Sequence, residues 1–205
     1  MDIQLNFINR SNDMNNSQIV IFQKNVASGY NELAVAWQVI QNCGLGDNHP
    51  FVYPQTMQVS ASDSYGNYTP QLDAQPGDAF AVTCTGSGDT LARNGNATYP
   101  TEVQIQNGLQ QGAINASIYK NGSMLALKTS IAPGQMAAFE FQPTIWIGAV
   151  SQVNQGQIMN SAIVETVNTE LSLLGVAAAD IVMTGGGPGR NSTAFQFTLQ
   201  NVRMA

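Results

Sequence analysis

Apolar residues recur on alternate positions, in short runs, along almost the whole of this chain. Ile3, Leu5 and Phe7 do so first; Ile19 and Ile21 follow, with Phe22 on the opposite face, and then Val35, Trp37 and Val39. Later runs fall at Val103 and Ile105, at 114–119, at 124–128, at Phe139 and Phe141, at 145–150 and at 195–202. Successive side chains of a β-strand point to opposite faces, so a period of two marks strands half-buried against a core. Gly, Pro, Asn or Asp bounds each run, and these residues end strands. About a dozen such runs predict an all-β fold, an antiparallel β-sandwich of jelly-roll-like or related type, rather than βαβ units.

The turns agree. Lys120-Asn121-Gly122-Ser123 separates two strand-like runs. Asn-Gly suits a type I′ hairpin, whose two central residues both need positive φ. Gln75-Pro76-Gly77-Asp78 and Ala132-Pro133-Gly134-Gln135 suit type II turns, and each leads into an apolar strand. These two Pro-Gly passages raise the expectation of a duplicated half. Gly185–Gly189 has the glycine content of a phosphate loop, but Phe195, Phe197 and Leu199 follow in strand alternation, so a hairpin loop is expected.

Two stretches are less regular. Residues 158–174 carry apolar positions at both helical and strand spacing; the β-branched content favours a strand over 167–174 and allows at most one short helix near 157–165. Thr85–Pro100, rich in Gly, Asn and Thr, is expected to be a long loop. Residues 1–205 read as a single sandwich domain, with 85–100 as the place for a sub-boundary.

Composition narrows the partners. Seven Lys and Arg and 13 Asp and Glu are the only charged residues among 205, against 40 Asn and Gln. A soluble domain usually carries roughly 25% charged residues. The seven cations are scattered, so no basic stripe exists to neutralise a nucleic-acid backbone or an anionic lipid surface. The opening MDIQLNFINRSN has neither the basic nor the apolar region of a secretory signal. Synthesis in the cytoplasm is therefore expected, with export by a non-classical route left open. No stretch approaches the roughly 18 apolar residues of a membrane helix. Seven Asn-x-Ser/Thr sequons follow from the abundance of these residues. Cys43 and Cys84 are expected to be reduced, buried thiols.

Little here serves catalysis. His49 is the only histidine, so a zinc or iron site built on imidazole is not expected. It sits in Gly46-Asp47-Asn48-His49-Pro50 and reads as a loop residue; Cys43, six residues earlier, could pair with it, but no nucleophile elbow exists in the chain. No catalytic residue is assigned and no cofactor is expected. Calcium is the metal the composition tolerates best, through the loop carboxylates Asp63, Asp73, Asp78 and Asp89. Tyr65, Tyr68, Tyr99 and Asn67 are the candidate ligand-binding residues, because exposed aromatics and amides recognise sugar hydroxyls. Trp37 and Trp146 lie in apolar alternation and are expected in the core.

These features lead to a non-enzymatic structural protein that forms homo-oligomers or larger assemblies through neutral polar surfaces. The alternative is a lectin-like, carbohydrate- or cell-surface-binding module. A further alternative is a membrane-acting β protein that uses the 85–100 region.

Overall fold

The computed structural model describes residues 2–27 and 33–205. The chain begins with β1 (Ile3–Asn9), β2 (Gln18–Phe22), β3 (Leu33–Ala34), β4 (Gln38–Ile40) and β5 (Asn48–Tyr53). It continues with β6 (Met57–Ser62), β7 (Leu72–Ala74), β8 (Asp78–Thr85), β9 (Gly88–Asn96), β10 (Val103–Asn107), β11 (Ile114–Lys120), β12 (Ser123–Ile131) and β13 (Met136–Phe139). Then come β14 (Thr144–Val150), the helix α1 (Ser161–Thr166), β15 (Thr169–Ser172), β16 (Val176–Gly186), a 3-10 turn at Gly189–Asn191 and β17 (Thr193–Met204). The fold is all-β, as the alternation predicts. The described residues hold 17 strands rather than a dozen, because pieces as short as β3, β4 and β7 are too brief for alternation to register.

The chain divides into two compact units. The first comprises Met1–Gln23, Ala34–Gln55 and Pro143–Ala205; the second comprises Lys24–Leu33 and Thr56–Gln142. Residues 85–100 lie inside the second unit. They are not a long loop. Thr85 to Gly88 close a tight hairpin, and β9 pairs with β8 from Thr85↔Gly88 to Asp78↔Asn96. Loop-forming composition is overridden here by ladder hydrogen bonds along β8.

The first unit pairs a sheet in the order β17-β16-β1-β5 with one in the order β15-β14-β2-β4. Its interior takes the alternating residues Leu5, Phe7, Ile19, Ile21, Ile145, Ile147 and Ile181, all nearly inaccessible. β2 is buried on both faces, which explains its unbroken run Ile19-Val20-Ile21-Phe22. Val20 and Phe22 meet Ala36, Val153, Met159 and Val167 on its other face, with Trp146, Ile163 and Val164 packed around them. α1 thus serves as a cover for the sheet. Asn160 starts it by accepting the Ile163 N–H at 2.9 Å. Trp37 is fully buried, stacked edge-on against Phe51 and Tyr53.

The second unit pairs β13-β10-β8-β9 with β12-β11-β6-β7, the latter carrying β3 at its edge. Phe80, Val82, Val103, Ile105, Ile118, Leu125 and Phe139 fill its interior. Asn121 and Gly122 turn the β11–β12 hairpin with φ of 52° and 74°, the positive pair its sequence demands.

The two units share one topology. Read from β14, the first unit runs β14, β15, β16, β17, β1, β2, β4, β5, and the second runs β6 to β13 in unbroken order. With that offset the sheet orders coincide, β17-β16-β1-β5 with β9-β8-β10-β13 and β15-β14-β2-β4 with β7-β6-β11-β12. The parallel pairs coincide too: β1 runs parallel to β16, and β10 to β8, each flanked by antiparallel neighbours. The match extends to single residues. Phe7 faces Ile181, and Ile105 faces Phe80, so one aromatic and one isoleucine fill the same place with the donor strands exchanged. The one buried residue in each edge strand, Phe197 or Leu91, lies opposite Met183 or Val82. The sequence's two Pro-Gly passages are therefore not each other's counterparts, since both lie in the second unit. The Pro76-Gly77 turn corresponds to Leu174-Gly175, and the Pro133-Gly134 turn to Leu45-Gly46. All four close with a hydrogen bond of 2.9 to 3.1 Å from the fourth residue to the first.

Among the described residues no helix is long and apolar enough to cross a membrane.

Candidate functional site

A cleft of about 420 Å3 opens in the second unit, where β6 ends and the β8–β9 hairpin turns. Its floor is Ala61, Ser62, Val82 and Ile114; Asp63, Asn67, Tyr68 and Thr69 form one wall, and Ser87, Gly88 and Asp89 the other.

The first wall is built by Asp63. Its Oδ1 accepts the backbone N–H groups of Tyr65 at 2.8 Å and Asn67 at 2.9 Å, and its Oδ2 accepts the Asn67 side-chain amide at 2.8 Å. A short carboxylate that gathers N–H groups two and four residues on folds the chain back on itself. The Asp63 N–H returns a bond to Asn67 O at 3.1 Å, and Thr69 closes the loop by accepting the Ala61 N–H at 3.0 Å. Hydrogen bonding, first of all from the Asn67 side chain, holds the Asp63 carboxyl below its ordinary pKa. The opposite wall is held by Thr85, whose hydroxyl donates to Gly88 O at 2.8 Å.

Four of the residues singled out in the sequence therefore meet in one cleft: Asn67, Tyr68, Asp63 and Asp89. Tyr65 projects from the same loop at 90% exposure, and Tyr68 is 66% exposed. Tyr99 is also exposed but belongs to the β9–β10 connection, away from the cleft. Asp73 lies on β7 and accepts from Gln58 at 3.2 Å. Asp78 begins β8, where it pairs with Arg93 and accepts the Gln75 N–H. The four candidate calcium ligands are thus split, two in the cleft and two engaged elsewhere. Among the described residues no three His, Cys, Asp or Glu side chains are grouped to hold a metal.

The cleft presents an aromatic face, two carboxylates, an amide and several hydroxyls. Such a set accepts and donates hydrogen bonds to a polyhydroxylated ligand while an aromatic ring covers its apolar face. The lowered pKa of Asp63 suits a hydrogen-bond acceptor rather than a general acid at that position. Sequence reading missed Ser62, Thr69, Ser87 and Ile114. The pairing of β6 with β11 and of β8 with β9 brings Ser62, Ser87 and Ile114 together, and the Thr69 hydroxyl joins them through the Ala61 N–H.

A second, shallow depression holds Cys43, Asp47, Asn48 and His49. His49 lies on β5 opposite Phe7 rather than in a loop. Burial and then the Asp47 carboxylate push the Cys43 thiol above its ordinary pKa. An activated nucleophile needs the opposite shift. Both cysteines are free and neither is buried as expected: Cys43 is only partly covered, and Cys84 is exposed on β8 because it lies at the end of that strand beyond the core.

No protein-family profile, curated protein or solved structure matches this chain.

Proposed function

We propose that the protein is a non-enzymatic β-sandwich protein that assembles with copies of itself by adding strands at an open sheet edge. The observation that carries this reading is β17. It is 12 residues long and lies at the edge of its sheet, with β16 on one side and no strand among the described residues on the other. Its sequence, TAFQFTLQNVRM, contains neither Lys nor Pro and only one charge, Arg203. Natural edge strands are usually blunted by such residues. Phe195, Phe197 and Leu199 turn toward the interior, while Gln196, Thr198 and Gln200 face solvent and offer a neutral surface to an identical strand. Low charge keeps repulsion between copies small. Sedimentation velocity and negative-stain microscopy over a wide concentration range test the reading. Wild-type protein is expected to form larger species as concentration rises, and the Gln196→Lys, Gln200→Lys double variant to stay monomeric. A wild-type chain that remains monomeric throughout would overturn it.

The cleft supports a second reading, as a module that binds a neutral glycan through Tyr68, Asn67, Asp63 and Asp89. The exposed tyrosine beside ionised and amide groups is the feature that favours it. A glycan array probed with and without calcium tests it; the absence of any hit in both conditions would sink it.

A further inference from the structure

We infer that the first unit carries a second ligand site, at the corner that corresponds to the cleft of the second unit, and that it takes an uncharged, hydroxyl-rich ligand. This inference rests on the glycan-binding reading of that cleft.

The correspondence is fixed by strand register. In the second unit Ser62 of β6 lies opposite Asn115 of β11, and Ala61 opposite Ala116. In the first unit Val150 of β14 lies opposite Gln18 of β2, and Ala149 opposite Ile19. β6 and β14 occupy the same place in the shared topology, as do β11 and β2. Three of the four floor residues, Ala61, Ser62 and Ile114, therefore have counterparts in Ala149, Val150 and Ser17, while Met183, the counterpart of Val82, lies outside the lining. A depression of about 560 Å3 lies at that counterpart, extended by Asn15, Asn16, Ser151 and Gln152.

The walls differ in a way that sets the ligand. Asp63, Asp89 and Tyr68 line the cleft of the second unit. Only amides, hydroxyls and aliphatic groups line the corner of the first. With no charged side chain in the lining, it offers nothing to balance an ionic ligand. Amides and hydroxyls both donate and accept, which matches the alternating demands of sugar hydroxyls.

The corner is also held in shape. Asp13 accepts the N–H groups of Asn15 at 2.9 Å and Ser17 at 2.6 Å. Asn16 donates to Asn42 at 2.8 Å, and the Gln18 side chain accepts the Val153 N–H at 2.7 Å. Two of its residues, Asn16 at φ 48° and Gln152 at φ 61°, sit in the left-handed region. For glutamine this conformation is sterically strained, and such residues gather at binding and active sites.

The left-handed backbone supplies a clean test. Asn16→Gly and Gln152→Gly delete the side chains and relax the backbone, so both variants are expected to fold. The probes are methyl α-mannoside, methyl β-galactoside and methyl β-glucoside, titrated into isotope-labelled full-length protein and followed by NMR. At least one is expected to shift Ser17 and Ser151 together, separately from any shift at Ser62 and Asp89. The paired glycine variant should weaken the first response at least tenfold and leave the second intact, while Tyr68→Ala does the reverse. Shifts confined to Ser62 and Asp89 and untouched by the glycine variants overturn the second site and leave the cleft reading standing. Shifts at neither set, with a blank array, overturn both.

Discussion

Asn9 and Asn107 hold the same place in two separate sandwiches. Each closes a strand that runs in parallel beside its neighbour, Asn9 opposite Met183 and Asn107 opposite Val82. The Asn9 side-chain amide donates to Cys43 O at 2.7 Å, and that of Asn107 to Ile131 O at 2.8 Å; both acceptors stand one residue before a turn. The side-chain oxygen of each accepts the N–H two residues on, from Ser11 at 2.9 Å and from Leu109 at 3.0 Å. Their own N–H groups bond the last residues of those turns, Asp47 and Gln135. One short amide thus pins a strand end, the loop after it and a distant turn, because it offers a donor and an acceptor at once.

Both side chains are buried, so removing either one leaves its backbone partners without those hydrogen bonds. Asn9→Ala and Asn107→Ala are each expected to destabilise their unit by about 2 to 3 kcal/mol, the cost of unpaired buried polar groups. Urea denaturation with residue-resolved hydrogen exchange measures this and assigns the loss to a unit. Unchanged midpoints for both variants would contradict the shared role.

The shared topology predicts a rearranged protein. In the second unit β9 passes to β10 through residues 97–102, whereas the corresponding β17 and β1 come from distant parts of the chain. A polypeptide of residues 143–205, a linker copied from 97–102, and residues 2–55 places the strands of the first unit in the order of the second. It is expected to fold alone and to unfold in one cooperative step. A disordered product, with no dispersed methyl resonances at low temperature, would show that the first unit depends on its insert.

Much of the sandwich was legible because alternation and turn chemistry are local. Asn121-Gly122 announces its hairpin, and the alternation of β1 and β14 is visible in their sequences. The correspondence between units was not legible. Permutation places the counterpart of β10 at the start of the chain and that of β8 near its end, so no linear repeat survives. The turns that would betray it carry Pro at 76 and 133 but Leu at 174 and 45. Four of the 11 residues lining the candidate cleft were foreseen, because Asn67, Tyr68, Asp63 and Asp89 are chemically conspicuous. Ser62, Ser87 and Ile114 became visible only through strand pairing, and Thr85–Pro100 misled because its composition suits a loop while its position beside β8 makes it a strand.

The Asp63 loop should respond to acid in a defined window. Asn67 holds the folded carboxyl below its ordinary value, so the ionised form is the one that supports the loop. For a lowered folded pKa, that support is complete above the unfolded value of roughly 3.9 and is lost as pH falls through the folded value. The side-chain amide of Asn67 and the N–H of Tyr65 are therefore expected to keep their resonances from neutral pH down to about 4 and to move only below it. A midpoint above that value would show that the folded Asp63 carboxyl is not held below its ordinary pKa.

The two thiols should separate by reactivity. Cys84 is exposed on β8, whereas burial and the Asp47 carboxylate raise the Cys43 pKa. Alkylation proceeds through the thiolate, whose share falls as the pKa rises. At neutral pH iodoacetamide is expected to label Cys84 well before Cys43, as peptide mass mapping would record. Asp47→Asn removes the nearby negative charge while retaining an oxygen to accept the Gly44 N–H, a bond of 3.0 Å in the native turn. That substitution should speed labelling of Cys43 and leave Cys84 unchanged. Equal rates at the two sites, or no acceleration at Cys43, would show that access rather than charge and burial governs the thiol beside His49.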